Sequence, residues 1–102
     1  MKLLSKKVIK KLIKKKIKIS VAESCTGGLL SNSITSIAGS SKVFKLGLIA
    51  YSDESKVKVL KIKKKILKKF GSVSKEVCKT MSINISKIAK TKMSVSITGI
   101  AG

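Results

Sequence analysis

Ile17-Lys18-Ile19-Ser20-Val21-Ala22-Glu23-Ser24-Cys25-Thr26-Gly27-Gly28-Leu29-Leu30 is the stretch from which the rest of the chain can be read. Ile17, Ile19 and Val21 alternate with other residues and run into Ala22, the period-2 signature of a strand over 17–22. Glu23 to Gly28 then supplies a carboxylate, hydroxyls, a thiol and two adjacent glycines, a composition that breaks a strand. Leu29, Leu30, Ser33, Ile34 and Ile37 resume at helical spacing. The hydroxyl-and-glycine cluster therefore lies at a strand-to-helix turn.

Toward the N-terminus, Leu3, Leu4, Val8, Ile9, Leu12 and Ile13 recur at helical spacing with lysines on the other face. The spacing predicts a helix over 2–15, packed on a sheet rather than laid on a membrane surface. Toward the C-terminus, Gly39-Ser40-Ser41 ends the second helix and Val43 to Tyr51 is apolar enough for a second strand. Asp53, Glu54 and Ser55 suit the first turn of a short helix near 53–60, since carboxylates favour the positive end of its dipole. Another short helix near 63–69 stops at Gly71, and Ser74-Lys75-Glu76-Val77 opens a longer one to about Lys90. Met93 to Thr98 alternates as a third strand and meets Gly99-Ile100-Ala101-Gly102. Strands alternating with helices predict an α/β fold, helices packed on a largely parallel sheet. With no repeat and no proline-rich linker, residues 1–102 read as a single domain.

The chain has 102 residues, 24 basic against 4 acidic, and a formal net charge of +20. Every basic residue is lysine, and histidine, proline and tryptophan are absent. A hydrophobic fraction of 43% is that of a globular domain and argues against disorder. Without histidine, Ser-His-Asp and Cys-His catalysis and His-ligated zinc are excluded. Cys25 and Cys78 are too few for a disulfide scaffold or a four-thiolate metal site. The charge invites nucleic acid as a partner, because lysines neutralise phosphates. Readers of nucleic acid, however, lean on arginine forks and aromatic stacking, and here arginine is missing and only Phe44, Tyr51 and Phe70 are aromatic. A coding bias toward lysine outside and isoleucine inside accounts for the charge better, so neither nucleic acid nor a membrane is expected as a partner. No apolar run reaches the ~18 residues of a membrane span, and the basic N-terminus leads into no signal-type apolar region. The expected compartment is the cytoplasm.

In an open α/β sheet, ligand sites form at the carboxyl ends of strands, in the turns into helices. Two turns have suitable chemistry: Ala22 to Gly28, and Thr98-Gly99-Ile100-Ala101-Gly102. Each offers hydroxyls and backbone N–H groups, able to hold an anion or a developing oxyanion. Neither has the GxxxxGK[ST] or GxGxxG spacing of a nucleotide loop. A serine nucleophile without histidine needs another base, and lysine is the remaining one provided its pKa is lowered. Lys56 stands out by position: it lies just beyond the strand ending Ala50-Tyr51-Ser52 and can point back at Ser24, with Tyr51 between or beside them. Cys25 is a competing nucleophile, although a small buried turn residue is the simpler reading of it. Glu23 either orients Lys56 or caps the turn, and Cys78 reads as core.

These residues, in order, resemble the CinA C-terminal domain, the nicotinamide-nucleotide amidase (PncC-type) family. The resemblance rests on Ala22 to Gly28, Gly39-Ser40-Ser41 with Phe44, Gly47 with Tyr51-Ser52 and Lys56, Gly71 to Ser74, and Thr98 to Gly102. It implies an amidohydrolase converting nicotinamide mononucleotide to nicotinic acid mononucleotide and ammonia, with no metal and no cofactor. It places a catalytic dyad on Ser24 and Lys56, Tyr51 beside it, and substrate contacts on Thr26, Gly27, Gly28, Thr98 and Gly99. It also implies a homo-oligomer. Family members continue beyond the Gly-Ile-Ala-Gly motif into further strands and a closing helix. A chain ending at Gly102 is therefore expected to lack these elements, to expose a strand edge at Met93–Thr98 and to be poor as a catalyst. Two other classes compete: a noncatalytic remnant or nucleotide-binding subunit of the same family, and a polycation binding nucleic acid or anionic lipid.

Overall fold

Strand β1 (Ile19–Glu23) is buried at every position, because it has a parallel neighbour on each side and helices over both faces. The neighbours are β2 (Phe44–Ile49) and β3 (Met93–Ile97), giving the sheet order β2-β1-β3. The computed structural model describes residues 2–100. Among the described residues five α-helices and a 3-10 turn complete the order: α1 (Lys2–Lys15) before β1, α2 (Leu29–Thr35) and the 3-10 turn (Ser40–Lys42) between β1 and β2, and α3 (Asp53–Lys58), α4 (Lys64–Phe70) and α5 (Lys75–Ala89) between β2 and β3. The α/β class and parallel sheet expected from the alternation are those observed.

Two apolar layers sandwich the sheet. On one face Ile19 and Val21 of β1 pack with Ile9 and Leu12 of α1, Ile34 of α2, Ile37 and Val43. On the other, Ala22 packs with Leu60, Ile62 and the α5 residues Val77, Met81 and Ile85. Successive β1 side chains alternate between these layers, as period 2 requires. Odd positions face α1 and α2, and even positions face α3 to α5. This alternation decides where the residues after Ala22 point.

The strand runs one residue further than the sequence pattern indicated. Glu23 stays in register with Ile49 on one side and Ile97 on the other, so ladder bonds hold it as strand despite its charge. In β3 the polar half of the alternation is half-buried. Ser94 and Ser96 lie against α5, with a 2.8 Å hydroxyl contact to Ser82 and a 2.6 Å bond donated by Ser96 to the Cys78 carbonyl. Half-buried hydroxyls are tolerated there because each has a partner. Among the described residues β2 and β3 form the two sheet edges, and no helix is long and apolar enough to cross a membrane.

Close approach fixes α2 over the sheet. A Cβ on Gly47 would lie 2.7 Å from Ser31 Oγ and 2.8 Å from Phe44 Cζ, so only glycine lets β2 and α2 come this near.

Candidate active site

Because Ser24 follows Glu23, alternation sends the two side chains to opposite layers. Glu23 goes toward α2 and Ser24 toward α3. The Ser24 N–H still donates to the Ile97 carbonyl at 3.0 Å, which anchors the residue at the end of the sheet. The chain then turns through Gly27 and Gly28, at φ +60° and +103°, into α2. Left-handed φ at both positions explains the glycine pair. At Gly28 a Cβ would also come 3.0 Å from Ile49 Cδ1.

Lys56 reaches Ser24 from across the β1–β2 crossover. Ser52 caps α3 by accepting from the Ser55 N–H at 3.0 Å, so only three residues separate the helix from β2 and Lys56 falls one turn in. Its side chain turns inward and is only 1% exposed. Its Nζ donates to Ser24 Oγ at 3.1 Å and to the Tyr51 carbonyl at 3.0 Å. Burial pulls the Lys56 pKa below the ordinary lysine value, against Asp53 and Cys25, which push it up. A buried amine of lowered pKa, touching a serine hydroxyl, can take that hydroxyl's proton.

The other residues singled out in the sequence fall as follows. Tyr51 meets Lys56 through its backbone carbonyl, while the residue as a whole is 70% exposed. Thr26 lies in the turn, but its hydroxyl donates to Glu23 Oε1 at 2.6 Å. The Gly27 N–H donates to the Ser24 carbonyl at 3.2 Å, so this amide is engaged within the turn. Gly99 abuts the turn from β3, where a Cβ would sit 3.3 Å from Cys25 Sγ. The Thr98 hydroxyl is directed away, donating to the Ser72 carbonyl at 2.8 Å, and Thr98 lines a 310 Å³ hollow with Val73, Ser74, Lys75 and Cys78. Ala101 and Gly102 of the second glycine turn lie outside the described residues. A surface groove of about 580 Å³ between α3 and α4 is lined by Asp53, Glu54, Val57, Leu67 and lysines, and by neither Ser24 nor Lys56.

Glu23 caps the turn rather than orienting Lys56. It is fully buried, and Oε1 accepts from the Thr26 hydroxyl at 2.6 Å and the Leu30 N–H at 2.9 Å. Oε2 accepts from the Ser31 N–H at 2.9 Å and the Ser31 hydroxyl at 2.6 Å. Burial pushes the Glu23 pKa up, but these bonds outweigh it and hold the carboxyl below its ordinary value. Two participants went unseen in the sequence. Ser31 has as its signal only a hydroxyl in the first turn of the helix that follows the loop. Asp53 has as its signal a carboxylate one turn before Lys56. Among the described residues, no three His, Cys, Asp or Glu side chains gather as a metal site.

Comparison with known proteins places the chain in a family. The CinA C-terminal domain model matches residues 1–102, and the chain belongs to that family. It is 57% identical over 84 residues to a CinA-like protein of Kosmotoga olearia, covering 82% of this chain and 20% of the relative. A CinA-like protein of Prochlorococcus marinus is 52% identical over 99 residues, covering 97% of this chain and 23% of the relative. The chain thus spans about a fifth of the length of these curated relatives. Among solved structures, the competence/damage inducible protein CihA of Agrobacterium tumefaciens superposes with a TM-score of 0.96 at 34% identity, covering 99% of this chain and 61% of that one.

Proposed function

We propose that the chain hydrolyses a carboxamide, that of nicotinamide mononucleotide, giving nicotinic acid mononucleotide and ammonia through a Ser24–Lys56 dyad. The observation that carries this reading is the buried 3.1 Å contact from Lys56 Nζ to Ser24 Oγ. The amidase resemblance of the motifs suggests the substrate class, and membership of the CinA C-terminal domain family is consistent with it.

The chemistry follows from the positions. Neutral Lys56 accepts the Ser24 proton as Oγ attacks the carboxamide carbon. The tetrahedral oxyanion lies over the Cys25–Thr26 backbone, whose N–H groups face no acceptor among the described residues. Lys56 returns the proton to nitrogen, the C–N bond breaks and ammonia leaves, with Ser24 acylated. Water, deprotonated by the same lysine, then cleaves the ester and restores Ser24. The Tyr51 carbonyl keeps Nζ aimed at Oγ throughout. The phenol of the exposed Tyr51 offers a face on which a pyridinium ring can stack.

The test is ammonia release from nicotinamide mononucleotide by the parent and by Ser24→Ala. Turnover by the parent and its loss in the variant are expected. A Ser24→Ala protein working at the parent rate would reject the assignment and direct attention to Cys25.

A further inference from the structure

Glu23 is a buried carboxylate without a cation. The one ion pair among the described residues is Lys58–Glu54, on the surface. Glu23 is instead held by four neutral donors, two on each oxygen. Such saturation leaves it no free lone pair to take a proton from a substrate, so it is not a second base. Nor does it bond Lys56, whose amine meets Ser24 Oγ and the Tyr51 carbonyl.

What the carboxylate does is geometric. From the end of β1 it grips residues three, seven and eight positions later, closing the Ser24–Gly28 turn into a loop with both ends tied to one group. Tying is needed because Gly27 and Gly28 are the loosest residues a turn can have. The capping residue of α2 is Gly28, which has no side chain to cap with, so the strand supplies the cap from outside the helix. Only an ionised carboxylate accepts at all four places. A glutamine would turn an NH₂ toward one pair of donors.

We infer that Glu23 is the positioning residue of the site: its carboxylate locks the Ser24–Gly28 turn so that Ser24 Oγ meets Lys56 Nζ and the turn's amides meet the oxyanion. The inference rests on the proposed hydrolytic role of Ser24. It distinguishes Glu23 from an ordinary anchor for α2, because it places the consequence of losing the carboxylate in the reactivity of Ser24 and not only in folding.

The experiment compares the parent, Glu23→Gln and Ser31→Ala at a temperature where each is folded by circular dichroism. Ser31→Ala keeps the charge and removes only the 2.6 Å hydroxyl bond, so it serves even if Glu23→Gln does not fold. Two rates are read: kcat and KM on nicotinamide mononucleotide, and phosphonylation of Ser24 by a fluorophosphonate, which reports the nucleophile without an amide substrate. A displacement of about 1 Å costs on the order of 10²-fold in rate. Glu23→Gln is accordingly expected to lose ~10–10²-fold in kcat and in phosphonylation with KM within about 3-fold, and Ser31→Ala to lose several-fold in the same direction. Both rates per folded molecule equal to the parent's, with only the melting temperature lowered, would overturn the inference and leave Glu23 a plain anchor. A parent that is phosphonylated at Ser24 yet releases no ammonia would defeat the amidase reading alone, while the phosphonylation ratios still decide the role of Glu23. A parent inert to both reagents defeats both.

Discussion

Replacing Lys56 with methionine separates chemistry from folding more sharply than any other single change. The side chain is 1% exposed, and its amine makes two hydrogen bonds, to Ser24 Oγ at 3.1 Å and to the Tyr51 carbonyl at 3.0 Å. Methionine fills nearly the same volume without the amine. Two hydrogen bonds are lost, each worth ~1 kcal/mol. Against this, the penalty of burying an ionisable amine disappears. The opposing effects leave stability at pH 7 within about 2 kcal/mol of the parent. Activity has no such compensation, because no histidine exists to take over and kcat should fall by ~10²–10⁴-fold with the loss of the base. Stability also carries a signature in pH. The folded-state pKa of Lys56 is lowered from the ordinary 10.5, so the unfolded chain binds this proton more readily. The Lys56 contribution is therefore complete above 10.5 and is lost as pH falls through the folded value. Subtracting the Lys56→Met curve from the parent's cancels the remaining lysines, and the difference should move in the parent's favour as pH rises through that window. Urea midpoints between pH 7 and 11 and ammonia release at each pH measure both quantities. Undiminished kcat in Lys56→Met, or a stability difference flat across the window, would refute the reasoning.

Other substitutions test the frame around the dyad. Gly47→Ala places a Cβ 2.7 Å from Ser31 Oγ and 2.8 Å from Phe44 Cζ, and should cost ~1–3 kcal/mol in urea unfolding. Met81→Ala empties a fully buried site in the α5 layer and should cost ~2–5 kcal/mol, with kcat per folded molecule unchanged. Glu23 has a lowered pKa, so its contribution to stability is complete above the ordinary carboxylate range and is lost as pH falls through the folded value. The stability gap between the parent and Glu23→Gln, measured by denaturation from pH 6 downward, should accordingly narrow in acid.

Much of the architecture was legible because lysine marks the outside, every described lysine but Lys56 being exposed, and apolar residues recur between the lysines at helix and strand periods. The helix predicted over 2–15 is α1 (Lys2–Lys15), and the third strand predicted at Met93–Thr98 is β3 (Met93–Ile97). The pairing of Ser24 with Lys56 required more than pattern. Nothing in composition separates one lysine from 24, and what singles out Lys56 is its inward turn from the first turn of α3, which Ser52 caps, to meet Ser24 Oγ and the Tyr51 carbonyl. The role of Glu23 is not legible in the sequence because its partners, Leu30 and Ser31, lie across a turn whose path depends on two left-handed glycines. Thr98 looked equivalent to Thr26 as a hydroxyl at a strand end, yet its partner is the Ser72 carbonyl in a loop 26 residues earlier. The alternation of Met93 to Thr98 marks a strand without showing what covers Ser94 and Ser96, and the packing of α5 against β3 gives them partners. Short-range periodicity was visible in the sequence, and long-range polar pairing was not.

The most direct test of the Ser24–Lys56 account is to trap the acyl intermediate. The chain is mixed with nicotinamide mononucleotide, quenched in acid within a turnover and digested, and the peptide spanning the Glu23–Gly28 turn is sequenced by mass spectrometry. The account predicts a nicotinate-nucleotide ester on Ser24, present in the parent and absent from both Ser24→Ala and Lys56→Met. A thioester on Cys25, surviving in Ser24→Ala, would contradict it.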